Sequence, residues 1–151
     1  MQLRLKGFAM ETTEKKIKVP NAIKEAVRYV VKTKDGWGVS MTGLEADDGS
    51  DADHAGVIGL PMINFKIDGS LVNKARVRTN RGKWLPYGKG LDAELGKDSA
   101  ITGLEIVGKG LIFAVHVKGG GWLSPAITSD VEGEVEVISG AAFDAIWIDE
   151  V

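Results

Sequence analysis

Ala114 to Leu123 reads AVHVKGGGWL, an alternating apolar strand followed by a glycine-rich turn and a tryptophan. Altered copies lie upstream: Arg76 to Leu85 is RVRTNRGKWL, and Val30 to Gly38 is VVKTKDGWG with one fewer turn residue. The three tryptophans, Trp37, Trp84 and Trp122, are separated by 47 and 38 residues. Later apolar strands supply a second set of anchors. They are MINFKI (Met62 to Ile67), ITGLEI (Ile101 to Ile106) and FDAIWI (Phe143 to Ile148), whose last isoleucines lie 39 and 42 residues apart. A period of about 40 residues marks a repeat architecture, in which each unit is too small to bury its own apolar face and shares a core with its neighbours. The expectation is an all-β protein of three quasi-equivalent units around a pseudo-threefold axis, β-trefoil-like, with a β-prism as the rival arrangement.

Composition agrees. The chain has 151 residues with twenty glycines and four prolines, and its apolar residues fall mostly in short runs, a pattern of many short strands joined by turns. There is no cysteine, which excludes disulfides and thiolate metal sites. A formal net charge of -2 disfavours a protein built around nucleic acid. No apolar run approaches the length of a membrane helix, and Met1 to Met10 is too charged and too short for a signal peptide.

Residues 1–26 have no copy downstream and read as an appendage, either a linker or a closing strand. The repeat domain spans 27–151, divided into 27–70, 71–110 and 111–151. Asp68-Gly69 and Gly108-Lys109-Gly110 are expected to make hairpin turns, because they supply the positive φ such turns need. The third unit stops at Val151 where its hairpin would begin, so Leu3 to Lys6 or Ile17 to Val19 is the expected partner for an otherwise open edge. Pro20 to Ala26 has the composition of a single helical turn.

Strand alternation sorts the side chains of the first strands into two faces. Tyr29, Val31 and Thr33, then Ala75, Val77 and Thr79, then Phe113, Val115 and Val117 point inward. Lys32, Arg78 and His116 share the opposite face. A position filled by Lys, Arg and His in one chain is polar and faces solvent or ligand, with solvent the favoured reading for His116; it is not the place of a unique general base. The tryptophans have two readings. Each precedes or follows residues that suit a repeated core aromatic, and each equally offers a flat ring to a pyranose face. The core reading is the preferred one. Candidate ligand-binding residues are therefore Trp37, Trp84, Trp122, His116, Arg78, Lys32 and Tyr87.

Asp47 to Gly56 (DDGSDADHAG) is rich in carboxylates, and Asp47, Asp51 and Asp53 are weak calcium candidates, because the spacing does not follow the EF-hand pattern. His54 lies among them and lacks the companions of a zinc site. Arg76 to Lys89 mixes cations with Trp84 and Tyr87 as a single-strand nucleic-acid groove would, but it is one repeat of three and the others are less basic. No GxSxG, HExxH, P-loop or dinucleotide-binding glycine motif is present, so nothing in the sequence argues for an enzyme, and no cofactor is implied.

The third unit carries VHVKGGGWLSPAIT (Val115 to Thr128) and ISGAAFDAIWI (Ile138 to Ile148). The first carries HAGVIGLPMINFKI (His54 to Ile67), and the second keeps GKWLP and ITGLEI without an Ala-Gly pair. In these residues the chain resembles the C-terminal cell-wall-binding repeats of phage endolysins and bacterial autolysins from Gram-positive hosts. The resemblance implies a non-catalytic module that recognises peptidoglycan or its secondary polymers and acts at the bacterial cell wall. Its partners would be a cell-wall glycan and, in a parent protein, a catalytic hydrolase domain. The alternative is a structural or assembly protein, such as a virion component, that uses the same repeats as a scaffold and oligomerises through residues 1–26.

Overall fold

The computed structural model describes residues 25–88, 99–128 and 133–151. Within them the fold is all-β, with thirteen strands: β1 (Arg28–Thr33), β2 (Gly36–Trp37), β3 (Met41–Thr42), β4 (Glu45–Ala46), β5 (Ala55–Gly56), β6 (Asn64–Asp68), β7 (Val72–Thr79), β8 (Ile101–Gly108), β9 (Leu111–Val117), β10 (Gly121–Trp122), β11 (Ala126–Ile127), β12 (Gly133–Ile138) and β13 (Phe143–Glu150). They form several open sheets, two of five strands and one of three.

In each segment the first long strand lies antiparallel to the last. Val31 faces Phe65 across β1 and β6, Val77 faces Leu104 across β7 and β8, and Val115 faces Ile146 across β9 and β13. The strand–turn–Trp motif folds back on the first strand with one backbone bond that recurs three times. Gly38 N–H donates to Val31 O, Leu85 N–H to Val77 O and Leu123 N–H to Val115 O, each at 2.9 Å. The inward set is buried throughout: Tyr29, Val31, Ala75, Val77, Phe113 and Val115 are at most 1% exposed. With Phe65, Leu104, Ile106, Phe143, Ile146 and Ile148 they form one continuous apolar core.

The segments are stitched together near the first residues of the late apolar strands. Met62 N–H donates to Phe143 O at 2.8 Å and Ile101 N–H to Met62 O at 2.9 Å. β5, from the first segment, pairs with β13, and β12, from the third, pairs with β8 over six residues. The alternation in Gly133–Ile138, GEVEVI, is the sequence signal for β12.

Two expectations change. The glycine turns do not join strands of one ladder: β6 and β7 belong to different sheets, as do β8 and β9. The expected positive φ is present at Gly69 (+143°) and Gly110 (+67°), and glycine there also permits close approach of backbone. A Cβ on Gly69 would stand 2.3 Å from Ala26 O, and one on Gly108 would stand 2.3 Å from Leu71 O. The last strand of the third segment also has its partner already. β13 runs against β9 from Phe143 to Glu150, and Val151 N–H extends the pairing to Gly110 O at 2.8 Å, as Ser70 N–H does to Glu25 O and Lys109 N–H to Leu71 O in the other segments. Each segment closes on its own first strand, so the pairing of β13 requires nothing from the appendage. The proposed closing strands Leu3 to Lys6 and Ile17 to Val19, and most of the helical turn after Pro20, lie outside the described residues.

Candidate functional site

The tryptophans are not core residues. Trp37 is 40% exposed and Trp122 42%, while Trp84 is half-buried. Each stands across the ladder from the outward residue of the preceding strand: Trp37 opposite Lys32, Trp84 opposite Arg78, Trp122 opposite His116. The strand period decides this. The tight turn returns the chain in register with the outward position, so the indole inherits the outward face.

The three settings differ chemically. Around Trp37 lie two ammonium groups, Lys66 Nζ at 4.7 Å and Lys32 Nζ at 5.8 Å from the ring centroid. At Trp84 the Arg76 guanidinium stacks 4.6 Å from the indole and 4.5 Å from the Tyr87 ring, and Lys74 Nζ sits 4.2 Å from Tyr87. Arg76 Nε donates to Glu105 Oε1 at 2.6 Å, and the Tyr87 hydroxyl donates to the same oxygen at 2.7 Å. Arg78 Nη1 donates to Thr102 Oγ1 at 3.2 Å. Two of the cations that suggested a nucleic-acid groove are thus bound to the protein itself, one of them to the buried carboxylate of Glu105; Lys89, at the end of that stretch, lies outside the described residues.

Around Trp122 the sequence reading missed most of the site. His116 is not solvent-exposed: its side chain is 13% exposed, and Nδ1 lies 2.6 Å from Oδ1 of Asp144, which is fully buried. An ionised carboxylate only accepts, so this pairing sets Nδ1 as the protonated nitrogen and leaves Nε2 as the ring's other polar atom. The second Asp144 oxygen accepts the Gly59 N–H at 2.8 Å, which fixes the turn after β5 against β13. Gly56 permits that approach. Its φ is +92°, and a Cβ there would lie 2.3 Å from Asp144 O. His54 rides on the same segment, with Nδ1 3.0 Å from Asp53 Oδ1. The His54 and His116 rings meet Trp122 edge-to-face, at centroid distances of 5.7 and 5.2 Å.

Beside this cluster opens a cavity of roughly 370 Å³ lined by Leu44, Asp53, His54, Trp122 and Trp147. Tyr29, buried in the core, links the loop before Leu44 to β13: its hydroxyl donates to Gly43 O at 2.6 Å and accepts the Ile148 N–H at 2.9 Å. Burial pushes the Tyr29 hydroxyl well above its ordinary range, with Asp149 and Asp53 adding to the effect. His54 and Trp147 enter the cavity from different segments, and nothing local in the sequence joins them. Chemically, the site offers two indoles, one imidazole–carboxylate pair at the rim and a second behind it. A histidine held by a buried carboxylate is also the orienting half of a nucleophilic triad. Among the described residues no hydroxyl is hydrogen-bonded to His116.

The acidic loop is occupied by protein partners. Asp47 accepts from Thr42 Oγ1 at 2.6 Å and from Arg28 Nε at 3.2 Å, Asp48 accepts the Ser50 N–H at 2.8 Å, and Asp53 is paired with His54. Among the described residues no three His, Cys, Asp or Glu side chains, Asp47, Asp51 and Asp53 included, group as a metal site would require. Partial desolvation pushes the Asp47 carboxyl up, but hydrogen bonds from Ser40, Thr42 and Arg28 outweigh it and hold the group below the usual carboxylate range.

Comparison with protein-family models, with curated proteins and with solved structures finds no match to this chain.

Proposed function

We infer that the chain is a non-catalytic carbohydrate-binding module directed at the bacterial cell wall, peptidoglycan or one of its secondary polymers. In this reading its three segments close in a β-trefoil-like arrangement. Support for the closure comes from the backbone bonds that tie Met62, Ile101 and Phe143, one residue from each segment, together. The observation that carries the functional reading is the outward, equivalent placement of Trp37, Trp84 and Trp122. Rings as exposed as those of Trp37 and Trp122 are costly to leave in water unless they serve as contact platforms. Weak sites held on one rigid body gain avidity along a polymer without any pocket being tight.

The test is sedimentation with purified cell walls from a panel of Gram-positive bacteria. Binding that weakens with Trp37→Ala, Trp84→Ala or Trp122→Ala while thermal stability holds supports the reading; no sedimentation with any wall sinks it. A scaffold or assembly role is the second reading, and the Trp84 setting favours it. There the indole packs under Arg76, which is bound in turn to Glu105 and stacked on Tyr87. In that case Trp84→Ala lowers the thermal midpoint and no variant changes wall binding.

A further inference from the structure

The three tryptophans share a ladder position but not a chemistry. Trp84 is covered by Arg76, whose guanidinium is itself tied to the buried Glu105 carboxylate, 4% exposed. Trp37 is flanked by two lysine ammonium groups. Trp122 lines a cavity, and neither Lys nor Arg is among the residues that line it.

We propose that the cavity between Trp122 and Trp147 is the primary sugar site, that it holds one uncharged pyranose per chain, and that the other two platforms contact the polymer outside it. This rests on the glycan reading above. The cavity, at roughly 370 Å³, is at the small end of the range for small-molecule sites, which suits a single ring with its first substituents. Its walls are the indoles and Leu44, apolar surfaces that match the C–H face of a pyranose. Its rim is Asp53, with a side chain 81% exposed, paired to His54. A carboxylate accepts from ligand hydroxyls, and an imidazole supplies the complementary donor or acceptor. An anionic sugar would set its charge against Asp53. A cation would find one carboxylate in the lining, Asp53, already hydrogen-bonded to His54 and open to water.

The experiment is calorimetric and indole-fluorescence titration of the whole chain with methyl glycosides of glucose, galactose, mannose, rhamnose, N-acetylglucosamine and N-acetylgalactosamine. Glucuronate, glycerol phosphate and tetramethylammonium serve as charged comparators. The expected result is one neutral glycoside bound at one site per chain, weakened about tenfold or more by Trp122→Ala, the loss of a stacked aromatic contact. Asp53→Ala, at a side chain too exposed to carry the fold, weakens the same binding with the thermal midpoint unchanged. Three equal sites, binding that survives both substitutions, a charged comparator bound in preference, or no glycoside bound at all each overturn the proposal. If cell walls still sediment the protein under any of these outcomes, the glycan reading stands and only the assignment of the cavity falls. If walls fail too, both fall.

Discussion

Asp144 is the side chain whose removal should disturb the fold and the Trp122 site together. Its carboxylate is fully buried and takes two donors, His116 Nδ1 at 2.6 Å and Gly59 N–H at 2.8 Å. Hydrogen bonds to a charged group contribute about 1.5–3 kcal/mol each, and an orphaned buried donor costs about 1–3 kcal/mol. Gly59 is exposed, so its N–H can turn to water, and the cost of Asp144→Ala concentrates on the half-buried imidazole. The expected loss is about 2–4 kcal/mol, which for a chain of this length lowers the thermal midpoint by roughly 5–15 °C. Asp144→Asn is the informative companion. Its amide oxygen can keep one donor, and a change of tautomer lets His116 Nδ1 accept from the amide nitrogen, so the penalty falls to about 1 kcal/mol. Urea denaturation followed by tryptophan fluorescence and by far-ultraviolet circular dichroism measures both. An Asp144→Ala protein within about 0.5 kcal/mol of the parent, or an Asn variant as damaged as the Ala variant, would refute the reasoning.

Other substitutions probe separate parts of the structure. Tyr29→Phe removes the hydroxyl that links Gly43 O to Ile148 N–H and should cost about 1–3 kcal/mol by the same denaturation assay. Burial raises the Tyr29 hydroxyl above its ordinary value of 10.0, so folding opposes its ionisation: this contribution is complete below pH 10 and is lost as pH rises beyond it. The Phe variant should therefore show a flatter stability profile on the alkaline side. Asp47 is shifted the other way, below 3.8, so its contribution is complete above the ordinary carboxylate range and disappears as pH falls through it. Asp47→Asn should flatten that acid limb slightly, because the pair with Arg28 is solvent-exposed and screened. Gly56→Ala, at φ +92° with a Cβ 2.3 Å from Asp144 O, should be destabilising by about 2 kcal/mol or more, and recovery of an unchanged thermal midpoint would contradict the close approach of β5 to β13.

Local periodicity determined a good deal of this protein. Alternation about Val31, Val77 and Val115 identified the buried face, and the strand–turn–Trp copies located the three places where the chain folds back on its strand with the same backbone bond, because both are one-dimensional properties of a strand and a turn. The same alternation set Lys32, Arg78 and His116 together on the outer face. What it left undecided was the surroundings of that face. Whether an indole is covered depends on the side chains that reach it in three dimensions: Arg76 covers Trp84 from within its own segment, and His54 reaches Trp122 from another. Asp144 is an unremarked letter within FDAIWI until β5 and the Gly59 turn cross β13. The glycines at the segment boundaries supply the positive φ read from the sequence at Gly69 and Gly110, but the strands they join lie in different sheets, and Gly69 and Gly108 also admit backbone from about forty residues upstream. AVHVKGGGWL specified a strand and a turn but read as ending in a core tryptophan; the structure turns that ring outward and sets it in a cavity with Trp147 and with residues 44, 53 and 54, more than sixty positions away, because a long first-segment loop reaches the third segment and pairs there.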